Sequence, residues 1–216
     1  MKFFGRIITT ITVLLVNVVY MLYYFLRDGF ISPIEYIGLP LILLLAWHFG
    51  KQYDRAKFLS EKDPLTEIYN RRYAEAFFPK IKAMTDRNGQ KLAVLVLDVN
   101  NFKTINDHLG HKKGDDVLKI LSRQLKKSVR ETDIVARWGG DEFIILTTDI
   151  KEIKNVEEIK ARIQKNLKKV SNSQLDLSVS IGSAIYPNLG ESLDELVKEA
   201  DKNMYEMKLH LKQHTK

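Results

Sequence analysis

The sequence contains no cysteine among its 216 residues. Disulfide bonds, zinc–thiolate sites and cysteine nucleophiles are therefore excluded. The sequence also lacks a Gly-rich Walker loop and a dinucleotide-binding glycine fingerprint, so a bound nucleotide must be held in another way. It shows no internal repeat and no low-complexity tract.

The composition indicates a folded chain with a basic balance. Apolar residues make up 45% and aromatic residues 10%, which is enough to build a packed core rather than a disordered chain. The formal net charge is +7 and the sequence pI is about 9.3. This charge suits anionic partners such as nucleotides, nucleic acid or an acidic membrane surface, and a solvated basic surface is the simplest alternative.

A long uncharged stretch lies near the N-terminus. Ile7–Leu26 has no charged side chain and is about as long as a helix that crosses a bilayer. It ends with Tyr23, Tyr24 and Phe25, and aromatic residues of this kind are typical of a membrane interface. A secretory signal peptide would have a shorter apolar region that ends in small residues. The stretch therefore predicts a transmembrane helix.

A second, weaker span is predicted at about residues 31–49. It contains Glu35 and Pro40, and Pro33 suits the first turn of a helix, where its missing N–H costs nothing. Arg27–Gly29 predicts a tight turn between the two spans. A re-entrant or interfacial segment is the alternative for the second span.

Basic residues predict the orientation of these spans. They lie before the first span and after the second, at Lys2, Arg6, Lys51, Arg55 and Lys57. By the positive-inside rule, both ends are expected in the cytoplasm. We therefore expect a transmembrane hairpin at residues 1–50, a charged helical linker at residues 51–62 and a catalytic domain at residues 63–216.

Helix-like and strand-like patterns alternate after residue 63. The continuous apolar run Leu92–Val99 predicts a strand that is covered on both faces. The other predicted elements are a helix at 115–129, a hairpin of strands 133–137 and 142–147, a helix at 153–170, a strand at 175–186 and a final helix from Ser192. This order predicts an α/β (α+β) domain with a central mixed sheet and helices packed on it.

Three carboxylates stand out in this pattern. Asp98 lies near the end of the buried strand, where a charge is costly unless a partner or a metal compensates it. Asp141 and Glu142 follow the two glycines of the predicted hairpin turn. If the strand lies beside the hairpin, the three carboxylates converge, and such oxygen ligands suit Mg²⁺ with substrate phosphates. The alternative is that Asp141 and Glu142 simply fill an exposed turn.

Four motifs then identify a resemblance. Gly139-Gly140-Asp141-Glu142-Phe143 is the signature that names the GGDEF family. Residues 63–72 resemble D-x-L-T-x-L-x-N-R-R, residues 97–107 resemble L-D-[ILV]-D-x-F-K-x-I-N-D, and residues 110–115 match G-H-x-x-G-D. The resemblance covers residues 63–212. It implies a palm-like fold, shared with nucleotidyl cyclases and polymerases, and a diguanylate cyclase that joins two GTP molecules into cyclic di-GMP.

The resemblance also implies roles for single residues. Asp98, the Val99 carbonyl, Asp141 and Glu142 are expected to hold the metal. Asp141 or Glu142 would also help to deprotonate the attacking 3′-hydroxyl. Lys103 would act in catalysis by neutralising the charge that develops on the phosphates. The substrate contacts implied are guanine recognition by Asn106 and Asp115, a substrate contact of His111, and triphosphate binding by Lys208 and Lys212. The alternatives are that Lys103 and Lys208 are ordinary surface lysines and that His111 is a residue at the start of a helix.

The implied cofactor is Mg²⁺, two ions for each active half-site, with Mn²⁺ as a substitute. The implied partners are GTP, cyclic di-GMP, the membrane and a second copy of the chain, but not nucleic acid. The expected location is the bacterial inner membrane, multi-pass, with the catalytic domain in the cytoplasm. The alternative function is a non-catalytic GGDEF domain that acts as a GTP or cyclic di-GMP receptor.

Two positions depart from the family pattern, and one further motif matches it. Asn100 stands where many members have a second Asp, and Lys212 replaces an Arg, which removes a bidentate phosphate contact. Arg130 and Asp133 form an R-x-x-D motif, and five residues separate it from Gly139. This spacing resembles that of the family's inhibitory site, where cyclic di-GMP binds. A local ion pair is the alternative for this motif.

Overall fold

The computed structural model describes residues 3–30, 33–171 and 177–213, without the side chains of residues 35, 207 and 209–213. The chain forms two compact units, Met1–Ser60 and Glu61–Lys216. The first contains α1 (Phe4–Asp28) and most of α2 (Pro33–Glu61). The second contains the sheet and the remaining helices.

Helices α1 and α2 contact each other closely near the N-terminus of α1. The Gly5 N–H donates to Asp54 Oδ1 at 2.7 Å, and Thr9 Oγ1 donates to the Ala46 carbonyl at 3.0 Å. A Cβ atom on Gly50 would lie 2.6 Å from Arg6 Cα, so a glycine is needed for the helices to approach this closely. The pairing of early α1 residues with late α2 residues shows that the two helices run antiparallel here.

One helix among the described residues, α1, is long and apolar enough to cross a membrane. It contains the predicted span Ile7–Leu26. The predicted second span begins at Ile31 and Ser32, which lie outside the described residues, as does the side chain of Glu35. That span therefore stays a prediction. From Pro33 onward, the chain is helical as far as Glu61, with Pro40 inside the helix.

The second unit is a five-stranded mixed sheet with helices packed against it, as predicted. Its elements are β1 (Tyr69–Asn70), α3 (Arg71–Arg87), β2 (Leu92–Val99), α4 (Phe102–Leu109), α5 (His111–Ser128), β3 (Ile134–Arg137), β4 (Glu142–Thr147), α6 (Ile153–Val170), β5 (Val179–Tyr186) and α7 (Leu193–Gln213). The strand order is β1-β3-β4-β2-β5. The β1–β3 pair is parallel and the other pairs are antiparallel.

Strand β2 lies between two hydrophobic clusters, one on each face of the sheet. Leu95 and its odd-numbered neighbours pack with residues of α5 and α6, such as Leu118 and Ile163. Val94 and its even-numbered neighbours pack with residues of α3 and α7. Because side chains alternate between the faces of a strand, covering both faces requires an apolar residue at every position. This explains the continuous apolar run in the sequence.

Some element boundaries differ from the prediction. Helix α5 begins at His111 rather than at residue 115, and a short helix α4 precedes it. The first part of the predicted strand 175–186 includes residues 175 and 176, which lie outside the described residues, and β5 begins at Val179. The predicted capping box of the last helix is present, because Ser192 Oγ accepts from the Glu195 N–H at 3.2 Å and Glu195 Oε2 accepts from the Ser192 N–H at 3.3 Å.

Helix α7 lies directly on β5, and this position brings it to the end of the sheet. A Cβ atom on Gly182 would lie 1.9 Å from the Ala200 carbonyl oxygen and 2.6 Å from the Met204 nitrogen. Asn203 Nδ2 also donates to the Ser183 carbonyl at 2.9 Å. The glycine therefore allows the helix backbone to touch the strand, and the asparagine fixes its register.

Candidate active site

The C-terminal end of β2 lies beside the N-terminal end of β4, where the carboxylates that were predicted to bind the metal are located. Asp98 and Glu142 are partners in the antiparallel register of these strands. The Val99 N–H donates to the Asp141 carbonyl at 3.3 Å, so the end of β2 contacts the turn itself. Strand β2 thus lies beside the hairpin. This is the arrangement under which the three carboxylates were expected to converge.

The glycine turn is closed by backbone hydrogen bonds. The N–H groups of Trp138 and Gly139 donate to the Glu142 carbonyl at 2.8 and 3.4 Å. A Cβ atom on Gly139 would lie 3.1 Å from Glu142 Oε2, whereas one on Gly140 would meet no atom within 4 Å. A side chain at Gly139 would therefore press on the Glu142 carboxylate, and the backbone of Gly140 is open to a ligand.

Arg137 connects this turn to the start of the domain. Its Nη2 and Nε donate to the Gly140 carbonyl at 2.7 and 3.0 Å, and its Nη1 lies 3.2 Å from Asp63 Oδ1. Asp63 Oδ1 also accepts from the Thr66 N–H and hydroxyl, at 2.8 and 2.6 Å. Burial opposes ionisation of Asp63, but the hydrogen bonds from Thr66 and the charge of Arg137 together lower its pKa. Arg137 was not among the residues predicted from the sequence.

The carboxylates at the end of β2 have the opposite environment. Burial raises the pKa of Glu142, and the negative charges of Asp201, Asp98 and Asp141 raise it further, while Lys208 lowers it. Burial and the charge of Asp98 also raise the pKa of Asp201. Asp201 lies on α7, two helical turns before Lys208 and so on the same face. That spacing was the one signal in the sequence that could have identified it.

Lys208 contacts a carboxylate rather than standing free for a phosphate. Its Nζ lies 2.5 Å from Asp98 Oδ1, and both side chains are largely buried. Lys212 also lies on α7, but its side chain is outside the described residues. The structure therefore brings Lys208 to the carboxylate cluster and leaves the prediction for Lys212 as it stood.

The described residues contain no group of three or more His, Cys, Asp or Glu side chains already spaced to hold a metal ion. The donor set nevertheless suits a hard divalent cation. Asp98 and Glu142 are paired in register, and the pKa of Glu142 is raised partly because its neighbours are acidic. A cation relieves such repulsion, and oxygen ligands of this type fit Mg²⁺.

The predicted guanine-binding residues lie on α4 and α5. Asn106 Oδ1 is buried and has no hydrogen-bond partner among the described residues. A Cβ atom on Gly114 would lie 1.9 Å from that oxygen, so only glycine leaves the amide room. Asp115 and His111 are exposed in the first turns of α5, and Lys103 is exposed on α4. The region thus has a buried acceptor available, beside exposed charged groups.

The predicted inhibitory motif precedes β3. The Arg130 N–H donates to Asp133 Oδ2 at 2.8 Å, while the Arg130 guanidinium lies 3.5 Å from Asp149 Oδ2. Burial raises the pKa of Asp133, although the charges of Arg130 and of Arg162 on α6 act against this. Arg162 is therefore a second arginine whose charge acts on the motif, and it was not predicted from the sequence.

Comparison with known proteins extends these observations. Residues 60–214 match the family described as "Diguanylate cyclase, GGDEF domain". The diguanylate cyclase DosC of Escherichia coli K12 is 39% identical over 147 residues, which cover 66% of this chain and 32% of DosC. The chain thus spans about a third of the length of that relative.

Solved structures are also similar. The crystal structure of the GGDEF domain of YfiN from Pseudomonas aeruginosa has a TM-score of 0.64 and 32% identity, covering 67% of this chain and 92% of that one. A microbial GGDEF domain described with bis-(3′,5′)-cyclic di-GMP has a TM-score of 0.61 and 34% identity, covering 72% of this chain and 94% of that one. By its family match and its fold, this chain belongs to the GGDEF family.

Proposed function

We propose that this chain is a diguanylate cyclase, which condenses two GTP molecules into cyclic di-GMP and two pyrophosphates. The observation that carries the proposal is the pairing of Asp98 with Glu142 beside the glycine turn, with Lys208 in contact with Asp98. In each half-reaction the 3′-oxygen of one GTP attacks the α-phosphorus of the other. The bond to the β-phosphate breaks, and pyrophosphate leaves.

The residues that would hold Mg²⁺ are Asp98, the Val99 carbonyl, Asp141 and Glu142, with two ions in each half-site and Mn²⁺ as a substitute. When bound, the metal supplies positive charge that favours the 3′-alkoxide and the leaving pyrophosphate. The proton of the 3′-hydroxyl passes to Asp141 or Glu142.

Substrate binding is assigned to the α4–α5 region and to α7. Asn106 offers the guanine a buried acceptor that has no partner among the described residues, and Asp115 accepts from guanine N–H groups. Lys103 and His111 are exposed nearby and would contact the substrate. Lys208, with Lys212 one turn further along α7, would bind the triphosphate.

Product binding is assigned to Arg130 and Asp133, as a site that inhibits the enzyme. Arg162 adds a second guanidinium whose charge acts on Asp133. Arginine binds phosphate and guanine edges in a bidentate manner, which suits cyclic di-GMP. The related GGDEF domain described with cyclic di-GMP is consistent with a product site on this fold.

Catalysis requires two copies of the chain, because each domain offers one guanine site and one triphosphate site while the product contains two nucleotides. We assign residues 1–50 to a membrane-spanning hairpin, 51–62 to a helical linker and 63–216 to the catalytic domain in the cytoplasm. The apolar helix α1 supports an anchor in the bacterial inner membrane. Such an anchor would raise the local concentration of the two domains.

The test is to incubate the full chain in detergent with GTP and Mg²⁺ and to identify the products by mass spectrometry. We expect cyclic di-GMP and pyrophosphate from GTP and no cyclic dinucleotide from ATP. The Asp115→Ala variant serves to separate binding from chemistry, since it should raise the KM for GTP. GTP binding without turnover in the wild-type chain would instead favour the receptor function.

A further inference from the structure

Asn100 directly follows β2 and makes three hydrogen bonds toward β5. Its backbone N–H donates to the Ser178 carbonyl at 3.0 Å, and its Nδ2 donates to Ser178 Oγ at 3.1 Å. Ser180 Oγ, which is fully buried, donates to Asn100 Oδ1 at 2.7 Å. The amide thus uses its donor and its acceptor on two serines of the neighbouring chain segment, which fixes both its position and its orientation.

The backbone hydrogen bond of Asn100 shows the direction of the Val99 carbonyl. The peptide bond between Val99 and Asn100 is trans, since Tyr186–Pro187 is the cis peptide bond of the described residues. In a planar trans peptide, the C=O and N–H groups point in opposite directions. The Asn100 N–H points to Ser178 on the β5 side, and β2 lies between β5 and β4. The Val99 carbonyl therefore points toward the side of β4, where Glu142 lies.

The same turn also leads into the guanine-binding region. Asn101, the next residue, has a φ of 56° and is the N-cap of α4. A left-handed residue of this kind allows the chain to turn sharply from the strand into the helix that carries Lys103 and Asn106. Asn100 lies between the end of β2 and the N-cap of α4. The hydrogen bonds that hold Asn100 therefore help to position both elements.

We propose that Asn100 is a positioning residue for the metal side of the active site. It holds the peptide whose carbonyl, together with Asp98, faces the cation, and it does so without adding negative charge. The inference rests on the proposed function, in which Asp98 and the Val99 carbonyl hold the cation. Asn100 therefore does more than replace a carboxylate with an uncharged group. Its side-chain amide forms hydrogen bonds with Ser178 and Ser180 that hold it in one orientation.

The test measures Mn²⁺ affinity by electron paramagnetic resonance on the full chain in detergent, without nucleotide. Asn100→Ala removes both side-chain bonds, and Ser180→Ala removes one of them. Asn100→Asp should rescue binding, because both serine hydroxyls can donate to its carboxylate. Ser183→Ala is the matched control, since Ser183 contributes its carbonyl to Asn203 and the substitution keeps that group.

We expect Asn100→Ala to weaken Mn²⁺ binding about tenfold and Ser180→Ala by a smaller factor, as is usual for residues that orient metal ligands. Asn100→Asp should stay within about threefold of the wild type, and the Mg²⁺ concentration for half-maximal turnover should change in the same order. If Asn100→Ala binds Mn²⁺ like the wild type, or if Asn100→Asp is as weak as Asn100→Ala, the assignment is wrong.

Asp98→Asn separates this inference from the proposed function. If Asp98→Asn abolishes Mn²⁺ binding while Asn100→Ala leaves it unchanged, the proposed metal site holds and the role of Asn100 is overturned. If the wild-type chain binds no Mn²⁺ with or without GTP, both the metal site and the role of Asn100 are overturned.

Discussion

Two carboxylate regions contact the same hairpin and have opposite electrostatic environments. Asp63 is surrounded by donors, namely Thr66 and Arg137, and its pKa is lowered. Glu142 is surrounded by acids, and its pKa is raised. A carboxylate that stabilises the fold is paired with donors and positive charges. A carboxylate at a functional site often lies near other negative charges, and a bound cation can reduce their repulsion. The comparison distinguishes Asp63, a structural carboxylate that reaches the hairpin through Arg137, from Glu142, the carboxylate that is proposed for catalysis.

The largest effect is expected from Asp98→Asn, on the acid-rich side. This substitution removes the carboxylate that is proposed to hold the metal, so the rate of cyclic di-GMP synthesis should fall at least about a thousandfold. The melting temperature should change little, because the substitution loses the ion pair with Lys208 but also reduces the repulsion with Glu142. Turnover is measured by chromatography and stability by thermal melting. Near-normal turnover in a folded Asp98→Asn variant would remove the distinction between the two regions.

Asp63→Asn tests the donor-rich side. The variant loses a largely buried charge that faces Arg137, and we expect it to lower the free energy of unfolding by about 1–3 kcal/mol. Because the pKa of Asp63 is lowered in the folded state, its stabilising effect is present at neutral pH. The effect is lost as the pH falls through that lowered value, below 3.8.

The matched control for this measurement is Asp116→Asn. Asp116 forms an exposed ion pair with Lys119 at 3.8 Å, and its loss should cost less than about 0.5 kcal/mol. Denaturant unfolding at pH 7 and pH 3 compares the two variants. Equal destabilisation by both substitutions would show that Asp63 is no more structural than a surface aspartate.

Gly114→Ala extends the comparison to an uncharged group, the Asn106 amide. The new methyl group would collide with Asn106 Oδ1, so the amide must move, and the KM for GTP should rise about tenfold with a smaller change in kcat. Lys113→Ala, on the exposed side of the same helix, is the control. An unchanged KM in a stable Gly114→Ala variant would argue against Asn106 as a guanine ligand.

Lys208→Gln is expected to have the smallest effect, and it acts in two directions. Without the lysine, Asp98 is free of its ion pair, so the nucleotide-free chain should bind Mn²⁺ about threefold more tightly. A non-hydrolysable GTP analogue should bind more weakly, because a phosphate-binding charge is lost. Lys202→Gln on the same helix is the control. Weaker Mn²⁺ binding by Lys208→Gln would mean that the lysine supports the metal site instead of competing for Asp98.

Much of the fold could be predicted because its signals are local. The apolar run of β2, the glycine turn and the helix predicted at residues 153–170 each follow from neighbouring residues. From the sequence, the position of β2 beside the hairpin was only a condition, and the register that places Asp98 opposite Glu142 is seen in the structure.

The contacts that complete the site could not be predicted in the same way, because they join distant segments. Arg137 reaches Asp63 across 74 positions, and Lys208 reaches Asp98 across 110. Asp201 and Arg162 act through space on residues of other elements. Only the packing of α7 on β5, made possible by Gly182, shows that its acidic and basic residues reach the end of the sheet.

The most direct test of the account compares activity and stability in one variant, Glu142→Gln. The raised pKa means that the folded protein binds this proton more readily than the unfolded chain does. Wild-type stability therefore falls as the pH rises from about 4.5 through the folded pKa. Glutamine lacks this titration, so at pH 7 the variant should make no detectable cyclic di-GMP and melt about 2 °C higher than the wild type. Its advantage in melting temperature should disappear on acidification to pH 4. A variant that melts lower than the wild type at pH 7, or that keeps its turnover, would contradict the account.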